Sequence, residues 1–156
     1  MYLSLPLSAA SGSRGYGRRG GGGGGHINLE SCLEEFTAQE TLTDDERWYC
    51  GKCKDFRDAT KKIDLWKLPP VLIIHLKRFK YNRYGSRMKL ETYVDFPIKN
   101  LDMGDFLISP QRDEPIYDLF ATSNHHGGCG GGHYTATGFS PKKNQVVYGS
   151  KHDFTI

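Results

Sequence analysis

Fifteen residues that cannot pack divide this chain. From Ser11 to Gly25, nine residues are glycine and three are arginine. Burial cannot repay the backbone entropy of such a stretch, so it reads as a flexible linker. Its composition is also similar to arginine–glycine tracts that bind RNA, with Tyr16 available to stack on a base. The expected organisation is a short apolar fragment at 1–10, a Gly/Arg-rich linker at 11–25 and a main body at 26–156. Ten residues are too few for a domain, so Tyr2 to Leu7 reads as one strand that must find its sheet elsewhere. The opening residues carry no basic flank and do not read as a signal peptide.

The main body reads as one helix followed by many strands. Leu29, Cys32, Leu33 and Phe36 follow helical spacing, and Asn28 is placed to cap the start. Ala59, Lys61, Ile63 and Leu65 alternate with polar residues, which predicts a half-exposed strand ended by Pro69-Pro70. Val71 to Leu76 is β-branched and nearly unbroken, so a central strand is expected. Met88, Leu90, Thr92, Val94 and Phe96 predict another strand, and Tyr117 to Ser123, His133 to Phe139 and Gln145 to Tyr148 complete the set. The later strands lack intervening helices. An α+β fold with a mostly antiparallel sheet and one packed helix fits better than βαβ units.

No apolar run reaches the roughly 18 residues a membrane helix requires, so no membrane partner is expected. The formal charge of +3 permits an acidic partner without demanding one. Four cysteines with a single CxxC pair point to metal or redox use in a reducing compartment, cytoplasmic and also nuclear, rather than to disulfides. Cys50-Gly51-Lys52-Cys53 is half of a zinc ribbon, and a second pair would have to supply the other two ligands. A bare knuckle and a filled site both remain open, with His26 as a third ligand if the linker folds back.

The sharpest chemical signal is Gly131-Gly132-His133-Tyr134, where a histidine stands at the passage from a glycine-rich loop into a strand. Such a setting holds an imidazole more rigidly than a loop would, which suits a general base. A nucleophile is harder to find. Cys32 falls on the apolar helix face, the setting of an inert thiol. Cys129 lies four residues before His133, too close in sequence for easy attack geometry. His75 is expected in the core with Val71, Ile73 and Phe79. His125 and His126 either line a cleft or are solvated. Lys77, Arg78, Lys80, Arg83, Arg87 and Lys89 are six cations in thirteen residues, interleaved with Phe79, Tyr81 and Tyr84. They suit a nucleic-acid surface, a protein-facing hairpin or a solvated face.

Taken together, Leu68 to Phe79, Trp48 to Cys53, Val94 to Pro97 and Asn124 to Ala136 resemble segments of the ubiquitin-specific proteases, the papain-like deubiquitinases. Tyr2 to Leu7 resembles the strand that follows the family's first zinc pair. The similarity covers residues 27–156 and is nearest to members whose catalytic domain is split by an insert, where Ser11 to Gly25 would stand. It implies a palm-and-fingers half of the papain-like fold, lacking the helical thumb. It also implies His133 as the general base, with Gly131, Gly132 and Tyr134 bordering a channel for ubiquitin's Gly-Gly tail. Lys80, Tyr81, Arg83, Tyr84 and Arg87, with His125 and His126, would belong to loops facing ubiquitin. Cys50 and Cys53 would be half of a fingertip zinc site, and no cofactor is required for the chemistry.

Three departures from the family pattern stand out. The nucleophile box and its oxyanion asparagine have no match in this chain. The first zinc pair has none either. Gly149 or Ser150 stands where the family orients its histidine with an acid, and Asp153 comes three or four residues late as the remaining candidate. The chain is thus expected to be inactive alone, as a fragment, a degenerate homologue or one piece of a two-chain assembly with the missing N-terminal half. Ubiquitin or a ubiquitinated protein is the expected partner. The competing classes are a non-catalytic ubiquitin-binding module and an RNA-binding protein.

Overall fold

The computed structural model describes residues 1–7, 27–82, 84–110 and 115–150. The linker, His26, Arg83 and Asp153 lie outside the described residues. Among these, strand β1 (Tyr2–Leu5) comes first, then β2 (Ile27–Asn28) and helix α1 (Leu29–Thr37). Asn28 is extended and its side-chain oxygen accepts from Ser31 N at 2.8 Å, so the helix begins at the cap the sequence offers. Leu29, Cys32 and Leu33 are buried on one face of α1.

A region of short hairpins follows. Strand β3 (Glu40–Leu42) pairs with β6 (Ala59–Lys61), and between them β4 (Trp48–Cys50) pairs with β5 (Asp55–Arg57), both antiparallel. The predicted strand over 59–65 stops at Lys61, and Leu65 makes only an isolated bridge to Leu107. Strand β7 (Ile73–Leu76) pairs in parallel with β1, with Tyr2 opposite Ile73 and Leu5 opposite Leu76. Beyond it lie the hairpin of β8 (Phe79–Tyr81) and β9 (Arg87–Lys89), then β10 (Val94–Asp95), which pairs in parallel with β2. The single strand expected from Met88 to Phe96 is therefore two. Strand β11 (Leu101–Asp102) pairs with β12 (Ile116–Tyr117). Last comes a three-stranded antiparallel sheet of β13 (Ala121–Gly128), β14 (Gly131–Ser140) and β15 (Gln145–Ser150). One main helix and mostly antiparallel pairing make this the α+β fold the sequence predicts.

The core gathers Leu3, Leu5, Leu7, Ile27, Leu29, Cys32, Leu33, Leu65, Val94, Leu101 and Met103. The N-terminal strand finds its sheet within the chain: Leu3 and Leu5 point into this core while Tyr2 and Ser4 face out. Two expectations need correction. Strand β7 is not central, because β1 is its one ladder partner among the described residues. His75 is not in the core. It shares an exposed face with Val71 and Ile73, where its ring stacks on Tyr2 at 5.6 Å and Nδ1 lies 3.2 Å from Ser4 Oγ. A β-branched run buries both faces only when layers cover both. Here the outer face is open.

Candidate functional site

The β13–β14 hairpin carries the histidines. Cys129-Gly130 makes a two-residue turn between Gly128 and Gly131. Gly127 has φ +112°, and a Cβ there would stand 2.8 Å from Gly131 O and from Gly132 Cα. At Gly132 a Cβ would overlap the His126 carbonyl and the His125 ring. Both glycines are therefore required by close approach, whereas Gly131 has open space around it.

Ladder register decides which groups share a face. His126 stands opposite His133, and His125 opposite Tyr134. Side chains alternate along a strand, so His133 and Tyr134 emerge on opposite faces of β14. On one face the His125 ring sits between Tyr134, at 4.7 Å, and Phe79, at 5.5 Å. This stack lines a cleft of about 290 Å³, with Tyr81, Cys129, Gly131 and Gly132 on its other sides. On the other face the exposed His133 neighbours His126, whose Nε2 lies 3.1 Å from Thr135 Oγ1. The structure thus brings Gly131, Gly132, Tyr134, His125 and Tyr81 together. It leaves His133 and His126 across the strand from them. Strand alternation in the sequence already carried this signal.

The β8–β9 hairpin forms the far wall of the cleft. Asn82 Oδ1 accepts from Tyr84 N and Ser86 N, and Gly85 at φ +78° closes the turn. Tyr84 is 89% exposed at the tip, and the Arg87 guanidinium lies 5.8 Å from the Tyr81 ring. Lys80 is exposed on the same hairpin. Two of the six basic residues are structural instead. Arg78 donates to the carbonyls of Leu90 and Thr92, at 3.1 and 2.7 Å. Lys89 reaches the glycine hairpin, donating to the carbonyls of His125 and Gly127. The sequence count of cations had no means of separating these two from the exposed ones.

The Cys50–Cys53 knuckle caps the β4–β5 hairpin. Cys53 N points at Cys50 Sγ at 3.5 Å, Lys54 N bonds Cys50 O at 2.7 Å, and Lys54 adopts φ +57°. Backbone N–H groups of Cys53 and then Lys52 hold the Cys50 thiol below its ordinary range. Such a pair fits half of a tetrahedral zinc site. No group of three or more potential ligands occurs among the described residues. Cys32 is the opposite case: it is fully buried, and burial, followed by the charge of Glu35, pushes its thiol up. Alkylation with iodoacetamide near neutral pH is therefore expected to modify Cys50 first and Cys32 only on unfolding. Mass spectrometry of a time course checks this, and early labelling of Cys32 would contradict its place in the core. A larger cleft of about 690 Å³, between Glu30 and Glu34 of α1 and Asp102 and Asp105, shares no residue with the hairpin site.

The sequence profile described as Ubiquitin carboxyl-terminal hydrolase matches residues 26–154. The chain belongs to the ubiquitin carboxyl-terminal hydrolase family. Ubiquitin carboxyl-terminal hydrolase 15 of Homo sapiens is 57% identical over 110 residues, covering 70% of this chain and 11% of that protein. Ubiquitin carboxyl-terminal hydrolase 9 of Arabidopsis thaliana is 51% identical over 110 residues, covering 70% and 12%. Among solved structures, the SAGA Ubp8/Sgf11/Sus1/Sgf73 DUB module bound to ubiquitin aldehyde aligns with a TM-score of 0.63 and 27% identity. It covers 97% of this chain and 32% of that one. A yeast SAGA DUB module with a mutant Sgf73 gives a TM-score of 0.66 at 28% identity, covering 97% and 32%. This hydrolase-family chain therefore spans about a tenth of its curated relatives' length and about a third of the solved chains. It corresponds to part of a papain-like deubiquitinase catalytic domain.

Proposed function

We propose that this chain supplies the general-base part of a ubiquitin-specific cysteine protease. In that reaction a thiolate attacks the carbonyl of ubiquitin's terminal glycine, and an imidazole takes the proton and returns it to the leaving amine. His133 is the base. The observation that carries this reading is its place: an exposed imidazole, third residue of β14, behind two glycines, in a chain of this family. Gly131, Gly132 and Tyr134 border the channel for ubiquitin's Gly-Gly tail, and at Gly131 the lack of a side chain leaves room for an extended backbone. Lys80, Tyr81, Tyr84 and Arg87, with Arg83 of the same segment, face ubiquitin, as do His125 and His126. Asp153 is the candidate orienting acid. Residues 26–156 form the C-terminal part of the catalytic domain, residues 11–25 the linker, and the protein works in the cytoplasm and also in the nucleus.

The thiol comes from outside this chain. Cys32 is buried in the core, Cys50 and Cys53 sit on the β4–β5 hairpin, and Cys129 lines the cleft with His125 and Tyr134. Attack needs a thiolate about 3–4 Å from the base, and on this reading none of the four supplies it. The chain alone is expected to leave a fluorogenic ubiquitin C-terminal reporter at the uncatalysed rate. Mixing with the thiol-bearing half of the domain is expected to restore hydrolysis, and His133→Ala to abolish it. Activity of the isolated chain that disappears in Cys129→Ala would overturn this assignment. Ubiquitin titration across salt separates the alternatives. Saturable binding with no restored hydrolysis identifies a non-catalytic ubiquitin module. Single-stranded RNA binding that collapses steeply with salt identifies a phosphate-reading surface.

A further inference from the structure

We propose that Lys89 is the positioning residue that latches the β8–β9 hairpin to the strand edge behind His133 and so sets the width of the cleft. In an antiparallel ladder, carbonyls point alternately to the two edges of a strand. β13 is paired with β14 on one side. The carbonyls of His125 and Gly127 are two residues apart and share the other edge. Lys89 Nζ takes both, at 3.0 and 2.8 Å. The residue between them is His126, and the ladder partner of His126 is His133. One ammonium therefore fixes the backbone on both sides of the rung that holds the base.

The latch and the cleft wall share a second rung. Lys89 stands directly opposite Phe79 in the β8–β9 ladder. Phe79 packs edge-on against the His125 ring while Lys89 holds the His125 carbonyl. This single rung grips His125 at both ends, and the His125 ring in turn lies over Gly132. Only 14% of the Lys89 side chain is exposed, so water competes poorly for the ammonium. Charge-assisted bonds to carbonyls are then stronger than neutral ones, and their loss leaves two acceptors bare. The contact to Glu91, at 3.9 Å with Glu91 80% exposed, adds little.

What the cleft takes up rests on the ubiquitin-tail reading, but the latch itself does not. The test uses the full chain with Lys89→Met and Lys89→Arg, read by residue-level amide exchange and by ubiquitin titration. In Lys89→Met, exchange over 124–134 is expected to speed up about tenfold or more while α1 keeps its protection. Lys89→Arg retains charge and several donors and is expected to restore most of that protection. Ubiquitin affinity is expected to fall about tenfold in Lys89→Met and to return in Lys89→Arg. Unchanged exchange in the hairpin overturns the latch. So does a Lys89→Met chain that fails to fold or exchanges faster everywhere, since a latch acts locally. A wild-type chain that ignores ubiquitin defeats the functional reading instead, while exchange still decides the latch.

Discussion

Leu5→Ala is expected to lower the unfolding free energy by about 3 kcal/mol, enough to unfold much of the population of a marginally stable chain. Leu5 is 0% exposed and belongs to a strand of four residues. Its carbonyl accepts from Lys77 N at 2.9 Å, and its side chain joins Leu3, Leu7 and Leu33 in the core. Truncation removes buried methyl groups and leaves a cavity that short flanking strands close only in part. The core holds eleven buried apolar side chains among the described residues, so little else compensates. Tyr2→Ala, on the exposed outer face of the same strand, is expected to change stability by less than about 0.5 kcal/mol. Urea unfolding of both variants checks the contrast. Equal midpoints would mean that residues 1–7 do not belong to the folded body.

What the sequence discloses depends on how local the physics is. Helix α1 was legible because its cap, its apolar spacing and its acidic wet face all lie within nine residues. The histidine beside its glycines was legible for the same reason, but the segment expected as a glycine-rich loop is strand through Gly128 and again from Gly131. Strand β7 was misjudged because a run such as Val71 to Leu76 reports apolar character but not how many neighbours a strand has. With β1 as its one ladder partner among the described residues, its outer face and His75 are exposed. Lys89 was hidden among six cations, since its role depends on carbonyls more than thirty residues away. The separation of His133 from Tyr134 was readable from strand period alone.

Gly132→Ala and Gly131→Ala are expected to part sharply, and the difference separates hairpin architecture from channel sterics. At Gly132 the added methyl would overlap the His126 carbonyl and the His125 ring, so backbone must move. The expected cost is about 3 kcal/mol, at the upper end of overpacking. The His125 stack against Phe79 and Tyr134 would break, and with it the register that sets His126 opposite His133. Amide spectra should therefore shift throughout 124–134, and ubiquitin binding should be lost. At Gly131 nothing stands within 4 Å of the new Cβ. The hairpin should keep its spectrum, and stability should change by less than about 1 kcal/mol. Yet Gly131 borders the cleft. If the cleft admits ubiquitin's tail, a methyl there narrows it, and affinity should fall at least about tenfold with the fold intact. Gly131→Ala binding ubiquitin as wild type would remove this residue from the channel. Gly132→Ala folding with an unshifted hairpin would show that the His125 ring does not lie over the glycine.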